Sequence, residues 1–213
     1  MTIERPWELG DAASRWLGYF QGPDSEVLRN TLGIVDAEQL QAAEDDLVEY
    51  RLAELRADPT LVKRTYDLSH VQALHRQLFQ DVYEWAGELR TVGLARDGGE
   101  SFMPPAEIGR PVAHAAQRIA DSDLLRGVTD HHVAAEVAYL YDYMNFAHPF
   151  REGNGRTQRE FFAQLLAESG RGLKWGRVER DDLHAACHAA RNDGDDSKLV
   201  AIFTRILTRE PIS

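Results

Sequence analysis

The segment His148–Arg159, HPFREGNGRTQR, crowds an imidazole, a carboxylate, a Gly-Asn-Gly turn and several guanidinium groups into one short run. Gly153 and Gly155 free the backbone around Asn154 for left-handed or otherwise unusual torsions. Helical periodicity resumes directly afterwards. The turn therefore aims several N–H groups to one side at the positive end of a helix dipole, which is a ready anion site. Arg156 and Arg159, three apart on one side of the first turn, add two charged forks suited to phosphate oxygens. Cations at a helix N-terminus oppose the dipole, and a bound polyanion resolves that conflict. Glu152 beside such a site is repulsive unless a divalent cation lies between. Mg²⁺ is commonly held by one or two carboxylates plus substrate phosphates, so a nucleotide–Mg²⁺ complex fits. His148 can take a proton from an attacking hydroxyl near neutral pH. It follows a predicted helix and precedes Pro149, which biases its backbone toward extended geometry. Phe150, in an otherwise largely polar segment, anchors the loop into the core.

The elements that must position these residues are mostly helical. Asp36 followed by Gln39 resembles a capping box, and Ala37 to Arg56 then runs helically until Pro59. A second helix starts after Asp67, with Leu68, Val71, Leu74, Leu78 and Phe79 at three- and four-residue steps. A third follows Pro104-Pro105 through Val112, Ala116 and Ile119. Thr129 is expected to cap a fourth, whose stripe is Val133, Val137, Leu140, Tyr141 and Met144. A fifth starts in the Gly-Asn-Gly turn and carries Phe161, Phe162, Leu165 and Leu166. Two more run roughly from Asp181 to Arg191 and from Ser197 to Thr208. The stretch Glu88 to Met103 breaks the rhythm with two short strand-like pieces around Asp97-Gly98-Gly99, a hairpin-turn signal. It reads either as a surface loop or as an edge offered to an extended partner segment. The expectation is one all-α domain, 1–213, with a core over about 36–207 and residues 1–35 as an N-terminal extension packed on it.

Composition narrows the classes. Apolar residues make up 43% and charged residues 28% of 213, as in ordinary globular chains. No apolar run reaches membrane-helix length, and the N-terminus lacks the pattern of a secretory signal. A single cysteine, Cys187, excludes an internal disulfide and fits a reducing compartment, so a cytoplasmic protein is expected. A net charge of −11 disfavours direct binding to nucleic acid. His184, Cys187 and His188, at i, i+3 and i+4, form a weak metal-site candidate that reads better as helix packing among alanines.

The motif resembles the signature of the Fic (filamentation induced by cAMP) family, H-x-F-x-[D/E]-G-N-G-R-x-x-R. His148, Phe150, Glu152, Gly153, Asn154, Gly155, Arg156 and Arg159 match all of its fixed positions. The run FQDVYEWAGELRTV, Phe79 to Val92, followed by Phe102-Met103-Pro104, is similar to the family's helix, hairpin flap and following helix. That resemblance implies the Fic fold with a β-hairpin flap over the active site. It implies a protein adenylyltransferase that moves AMP from ATP to a Ser, Thr or Tyr hydroxyl of a target protein. His148 would be the general base, and Glu152 would hold Mg²⁺. The N–H groups of Gly153 to Gly155 and the Asn154 side chain would cradle phosphates. Arg156 and Arg159 would neutralise the pyrophosphate end. Thr91, Val92, Gly93, Leu94 and Phe102 would dock the target by strand addition.

Many family members are restrained by a helix bearing [S/T]-x-x-x-E-[G/N], and no Ser or Thr of this chain has Glu four residues later. The resemblance therefore implies the toxin of a toxin–antitoxin pair, with a small antitoxin supplying the glutamate in trans. By analogy with compact relatives, the target class is a gyrase or topoisomerase IV B-type subunit. Doc-type relatives, which transfer a terminal phosphate, carry lysine where this chain has Gly155 and lack the second arginine. UMP or GMP transfer, phosphorylation, removal of AMP and an inactive Fic-fold binding module remain the alternatives.

Overall fold

A computed structural model describes residues 5–95 and 101–211 of the chain. The Asp97-Gly98-Gly99 turn lies outside the described residues. Eight α-helices are seen among them: α1 (Ala12–Gly18), α2 (Ala37–Ala57), α3 (Leu68–Phe79), α4 (Gly109–Asp121), α5 (Val133–Ala147), α6 (Asn154–Glu168), α7 (Arg180–His188) and α8 (Ser197–Ile206). The all-α expectation holds. None of the described helices is long and apolar enough to cross a membrane. The chain groups into two compact units, each discontinuous in sequence.

The first unit comprises Met1–Lys63, Gln72–Glu107 and Pro149–Asn154. Asp36 caps α2 as its spacing with Gln39 suggests, accepting the Gln39 N–H at 2.9 Å. Residues before α2 belong to this unit's core: Trp7, Tyr19 and Val27 pack with Leu40 and Val48 of α2 and with Leu78, Phe79, Tyr83, Trp85 and Val92. Arg51 of α2 clamps Asp81 with both arms of its fork, at 2.6 and 2.7 Å. The α1 helix has no counterpart in the periodicity. Asp11 starts it by accepting the Ser14 N–H at 2.8 Å. In the Glu88–Met103 stretch the two arms meet through an isolated antiparallel bridge, Ala95 to Ser101, and the Phe102 N–H donates to the Leu94 carbonyl at 3.0 Å. The pairing is hairpin-like, though shorter than two regular strands.

The second unit comprises Arg64–Val71, Ile108–His148 and Gly155–Ser213. Its centre is α5, whose Val133, Val137, Leu140, Tyr141 and Met144 are all buried, as their spacing predicts. Leu199, Phe203 and Ile206 of α8 and Phe161, Phe162, Leu165 and Leu166 of α6 are buried as well. Thr129 does not cap α5. The helix begins four residues later, and the Thr129 hydroxyl meets the His132 ring at 2.9 Å. The last helix stops at Ile206, because Leu207–Thr208 (β2) turns extended and pairs antiparallel with Gly172–Leu173 (β1). After His188, α7 widens into a π-helical turn, Ala189–Asp193.

Candidate active site

Pro149–Asn154 lies in the first unit, where three separate stretches of chain hold it. Phe150 is fully buried and stacks on His75 of α3, with centroids 3.7 Å apart and planes at 21°. The His75 ring accepts the Gly87 N–H at Nδ1, 2.8 Å away, and its Nε2 lies 3.0 Å from the Glu152 carbonyl oxygen. The Arg90 N–H donates to the Pro149 carbonyl at 2.9 Å. The buried Arg90 guanidinium donates to the Val92 carbonyl at 2.7 Å and to the Met103 carbonyl, joining both arms of the flap base. Burial pushes the Arg90 guanidinium down to about 10, so it stays charged at neutral pH.

The turn itself is shaped by sterics. Gly153 has φ +81°, and a Cβ there would sit 2.4 Å from Cζ of Phe79, so both torsion and space demand glycine. The Asn154 amide is committed to the loop: its Oδ1 accepts the Phe150 N–H at 2.9 Å and its Nδ2 donates to the Phe150 carbonyl at 2.8 Å. These two bonds close the loop and use one of the amide's two N–H donors. Glu152 is exposed, and its Oε1 accepts the Gly153 N–H at 2.9 Å. Arg151 turns inward over Trp16 at 4.6 Å and Phe20 at 5.3 Å from the ring centroids. Burial lowers its pKa, and the Glu152 charge partly opposes that shift.

His148 and Gly155–Arg159 lie in the second unit. His148 ends α5 with φ 41° and ψ 60°, and its N–H reaches the Met144 carbonyl at 3.4 Å. The backbone is left-handed rather than extended, because closing the helix end outweighs the pre-proline bias. A non-glycine residue in that region carries strain of the kind concentrated at functional sites. Gly155 is exposed and its missing Cβ would meet Arg159 Nη1 at an ordinary 3.5 Å, so packing there would admit a side chain. Thr157 and Gln158 are buried, and the Gln158 amide donates to the Tyr141 carbonyl at 2.8 Å. Arg156 and Arg159 are half-buried. Burial lowers the Arg159 pKa first; Tyr141 opposes that shift, while the neighbouring Arg156 and Arg180 charges add to it. Arg180, at the start of α7, is thus a third cation of this cluster that the sequence reading did not select.

The five flap residues have different surroundings. The Thr91 N–H donates to the Tyr19 hydroxyl at 3.1 Å, the Thr91 hydroxyl donates to the Trp7 carbonyl, and Val92 is buried. Gly93 is exposed, while Leu94 and Phe102 are half-buried on facing arms. Among the described residues no group of three or more His, Cys, Asp or Glu side chains could hold a metal ion. His184, Cys187 and His188 form no such group: Cys187 is buried and the His188 ring meets the Asn192 amide at 2.9 Å. A single exposed carboxylate at Glu152 suits Mg²⁺ that draws its other ligands from phosphates and water, and would not suit a metal needing a full protein cage.

Comparison with known proteins gives a consistent answer. The model of the Fic/DOC family matches residues 65–166. Protein adenylyltransferase VbhT of Bartonella schoenbuchensis is 35% identical over 189 residues, which cover 89% of this chain and 39% of VbhT. The chain therefore spans well under half the length of that relative. The probable protein adenylyltransferase Fic of Salmonella typhimurium is 34% identical over 87% of this chain and 90% of its own length. Among solved structures, the N-terminal Fic domain of a VirB-translocated Bep effector protein from Bartonella sp. AR 15-3 superposes with a TM-score of 0.79. It is 26% identical over 90% of this chain and 92% of that one.

Proposed function

The chain belongs to the Fic/DOC family, and from that premise we propose that it transfers AMP from ATP to a Ser, Thr or Tyr hydroxyl of a target protein. The observation that supports this reading is the Gly153–Asn154 turn, where a positive φ and the Phe79 ring both disfavour a side chain, and which leads directly into α6 with its two arginines. His148 takes the proton of the target hydroxyl, whose oxygen attacks the α-phosphorus. The bond to the bridging oxygen breaks, and pyrophosphate leaves. Proton removal of this kind contributes about 10²–10⁴-fold, and the remainder comes from positioning and charge. First-turn N–H groups of α6, with Arg156, Arg159 and Arg180, hold phosphate oxygens. Glu152 would hold Mg²⁺, which when bound neutralises phosphate charge. On the flap, the exposed Gly93 with Leu94 and Phe102 offers the edge to which an extended target segment adds; Thr91 and Val92 anchor its base.

The same reading makes the chain a toxin restrained by a small antitoxin. Its support is the absence, in these 213 residues, of any Ser or Thr followed four positions later by Glu. A B-type topoisomerase subunit is the first target class to try. The decisive experiment incubates the chain with ATP, Mg²⁺ and a cell lysate, beside a His148→Ala variant. Mass spectrometry should find AMP on hydroxyl side chains only with the intact chain. A phosphate adduct instead would overturn AMP transfer in favour of terminal-phosphate transfer.

A further inference from the structure

We propose that His75, outside the signature motif, is the positioning residue of the phosphate turn: it selects the orientation of the Glu152–Gly153 peptide. This rests on the nucleotide-binding reading of that turn. Gly153 must be glycine to reach φ +81° beneath the Phe79 ring. The same freedom is a liability, because a glycine torsion does little by itself to stop its preceding peptide from flipping. A flip would exchange the directions of the Glu152 carbonyl and the Gly153 N–H. The turn would then show a carbonyl oxygen to an incoming phosphate, repelling what it should bind.

His75 opposes that flip with a donor that cannot itself turn. Its Nδ1 accepts the Gly87 N–H at 2.8 Å, so Nδ1 bears no proton and the neutral ring keeps its hydrogen on Nε2. That Nε2–H, 3.0 Å from the Glu152 carbonyl oxygen, therefore donates to it. The ring is fully buried and lies face to face with Phe150 at 3.7 Å and Phe79 at 4.6 Å. It has no room to rotate. With the carbonyl held on the His75 side, the trans peptide sends the Gly153 N–H the opposite way, where it already meets an anionic oxygen, Glu152 Oε1, at 2.9 Å. One peptide thus joins the two groups assigned to the Mg²⁺–nucleotide, the Glu152 carboxylate and the Gly153 N–H, and His75 fixes both.

The test compares the intact chain with His75→Phe, which keeps a flat ring and removes both polar atoms, and His75→Gln, which keeps one donor and one acceptor. ATP–Mg²⁺ affinity is read by titration calorimetry, AMP transfer to a lysate target separately, and folding by thermal unfolding. Partners that orient a ligand from behind typically matter about 10–100-fold. His75→Phe should weaken ATP–Mg²⁺ binding by that factor while the KM for the target is unchanged, and His75→Gln should recover part of the loss. A folded His75→Phe protein with ATP–Mg²⁺ affinity within about twofold of the parent overturns the proposal. Nitrogen-15 NMR of the intact chain needs no variant: it should show the neutral Nε2–H tautomer at His75, and the Nδ1–H tautomer would overturn the proposal. If the intact chain binds ATP–Mg²⁺ but transfers nothing, AMP transfer fails and the calorimetric comparison still decides on His75. If it transfers AMP and His75→Phe does so equally well, the positioning role fails and the transfer stands.

Discussion

Replacing Gly153 with alanine tests how the turn is built. The first term is torsional, because an L-residue held near φ +81° loses about 1–2 kcal/mol. The second is steric. The new Cβ would sit 2.4, 2.5 and 2.9 Å from Cζ, Cε2 and Cε1 of Phe79, well inside the roughly 3.5–4.0 Å of a carbon contact. Phe79 is fully buried and stacked on His75, so its ring cannot yield without disturbing the loop; overpacking of this kind costs about 1–3 kcal/mol. The sum is about 2–5 kcal/mol, a large share of the roughly 5–15 kcal/mol of a typical domain. The three ring atoms in conflict are all ones that leucine lacks. In a Phe79→Leu background the steric term should vanish, and Gly153→Ala should fall to its torsional 1–2 kcal/mol. Urea unfolding of the parent, both single variants and the double variant closes the cycle. The expected coupling is about 1–3 kcal/mol, and additivity within about 0.5 kcal/mol would refute the steric account.

Three further outcomes follow from the site and its supports. His148→Ala should abolish AMP transfer while ATP affinity, measured by calorimetry, stays within about threefold, since the general base acts on the target hydroxyl; a collapse of ATP binding would contradict that role. Arg90→Met leaves the Val92 and Met103 carbonyls without their donor and should raise the KM for the target more than the KM for ATP. Equal effects on both would show that the flap base is not what Arg90 holds. Burial pushes the His70 imidazole, which accepts the Tyr66 N–H at 3.3 Å, down to about 4 from its usual 6.5. Below pH 6.5 the unfolded chain takes up a proton that the native chain refuses, so stability present above that pH is lost on acidification down to about pH 4. The loss amounts to about 3 kcal/mol. A His70→Gln variant should lack that part of the slope in urea titrations between pH 7 and 4, and parallel curves would refute it.

What the sequence disclosed depended on how far apart the cooperating residues lie. Asp36 and Gln39 are neighbours on one helical turn, so their pairing is written in their spacing and appears as a bond. The His148–Arg159 motif is contiguous, so residue types alone suggest a Mg²⁺–nucleotide site there, while AMP transfer was implied only by the family resemblance. α1 was invisible because a seven-residue helix with Trp16 and Leu17 exposed presents no periodic apolar face. Two-residue strands such as β1 and β2 offer no alternation to detect. The backbone of His148 was misjudged because a rule about the following proline competes with the needs of the preceding helix end. His75, Arg90 and Arg151 could not be singled out: each sits in a helical, strand-like or turn pattern that accounts for it without reference to the loop it meets.

Those distant residues explain why the loop can be rigid while containing two glycines and an unusual torsion. The Pro149 carbonyl is held by the Arg90 N–H, both backbone groups of Phe150 by the Asn154 amide, and the Glu152 carbonyl by His75. Arg151 is sunk among rings of the segment preceding α2. These restraints come from different parts of the first unit, so loosening one leaves the rest in place. Catalysis by positioning needs donors that are already aimed before substrate arrives, since reorganising them during the reaction would add to the barrier. The torsional strain at His148 and the buried charge of Arg151 are stability costs set against that readiness. Replacing Arg151 with leucine relieves the second cost without touching the general base, so it should raise the urea unfolding midpoint and slow transfer together, and a stabilised variant with unchanged transfer would overturn this account.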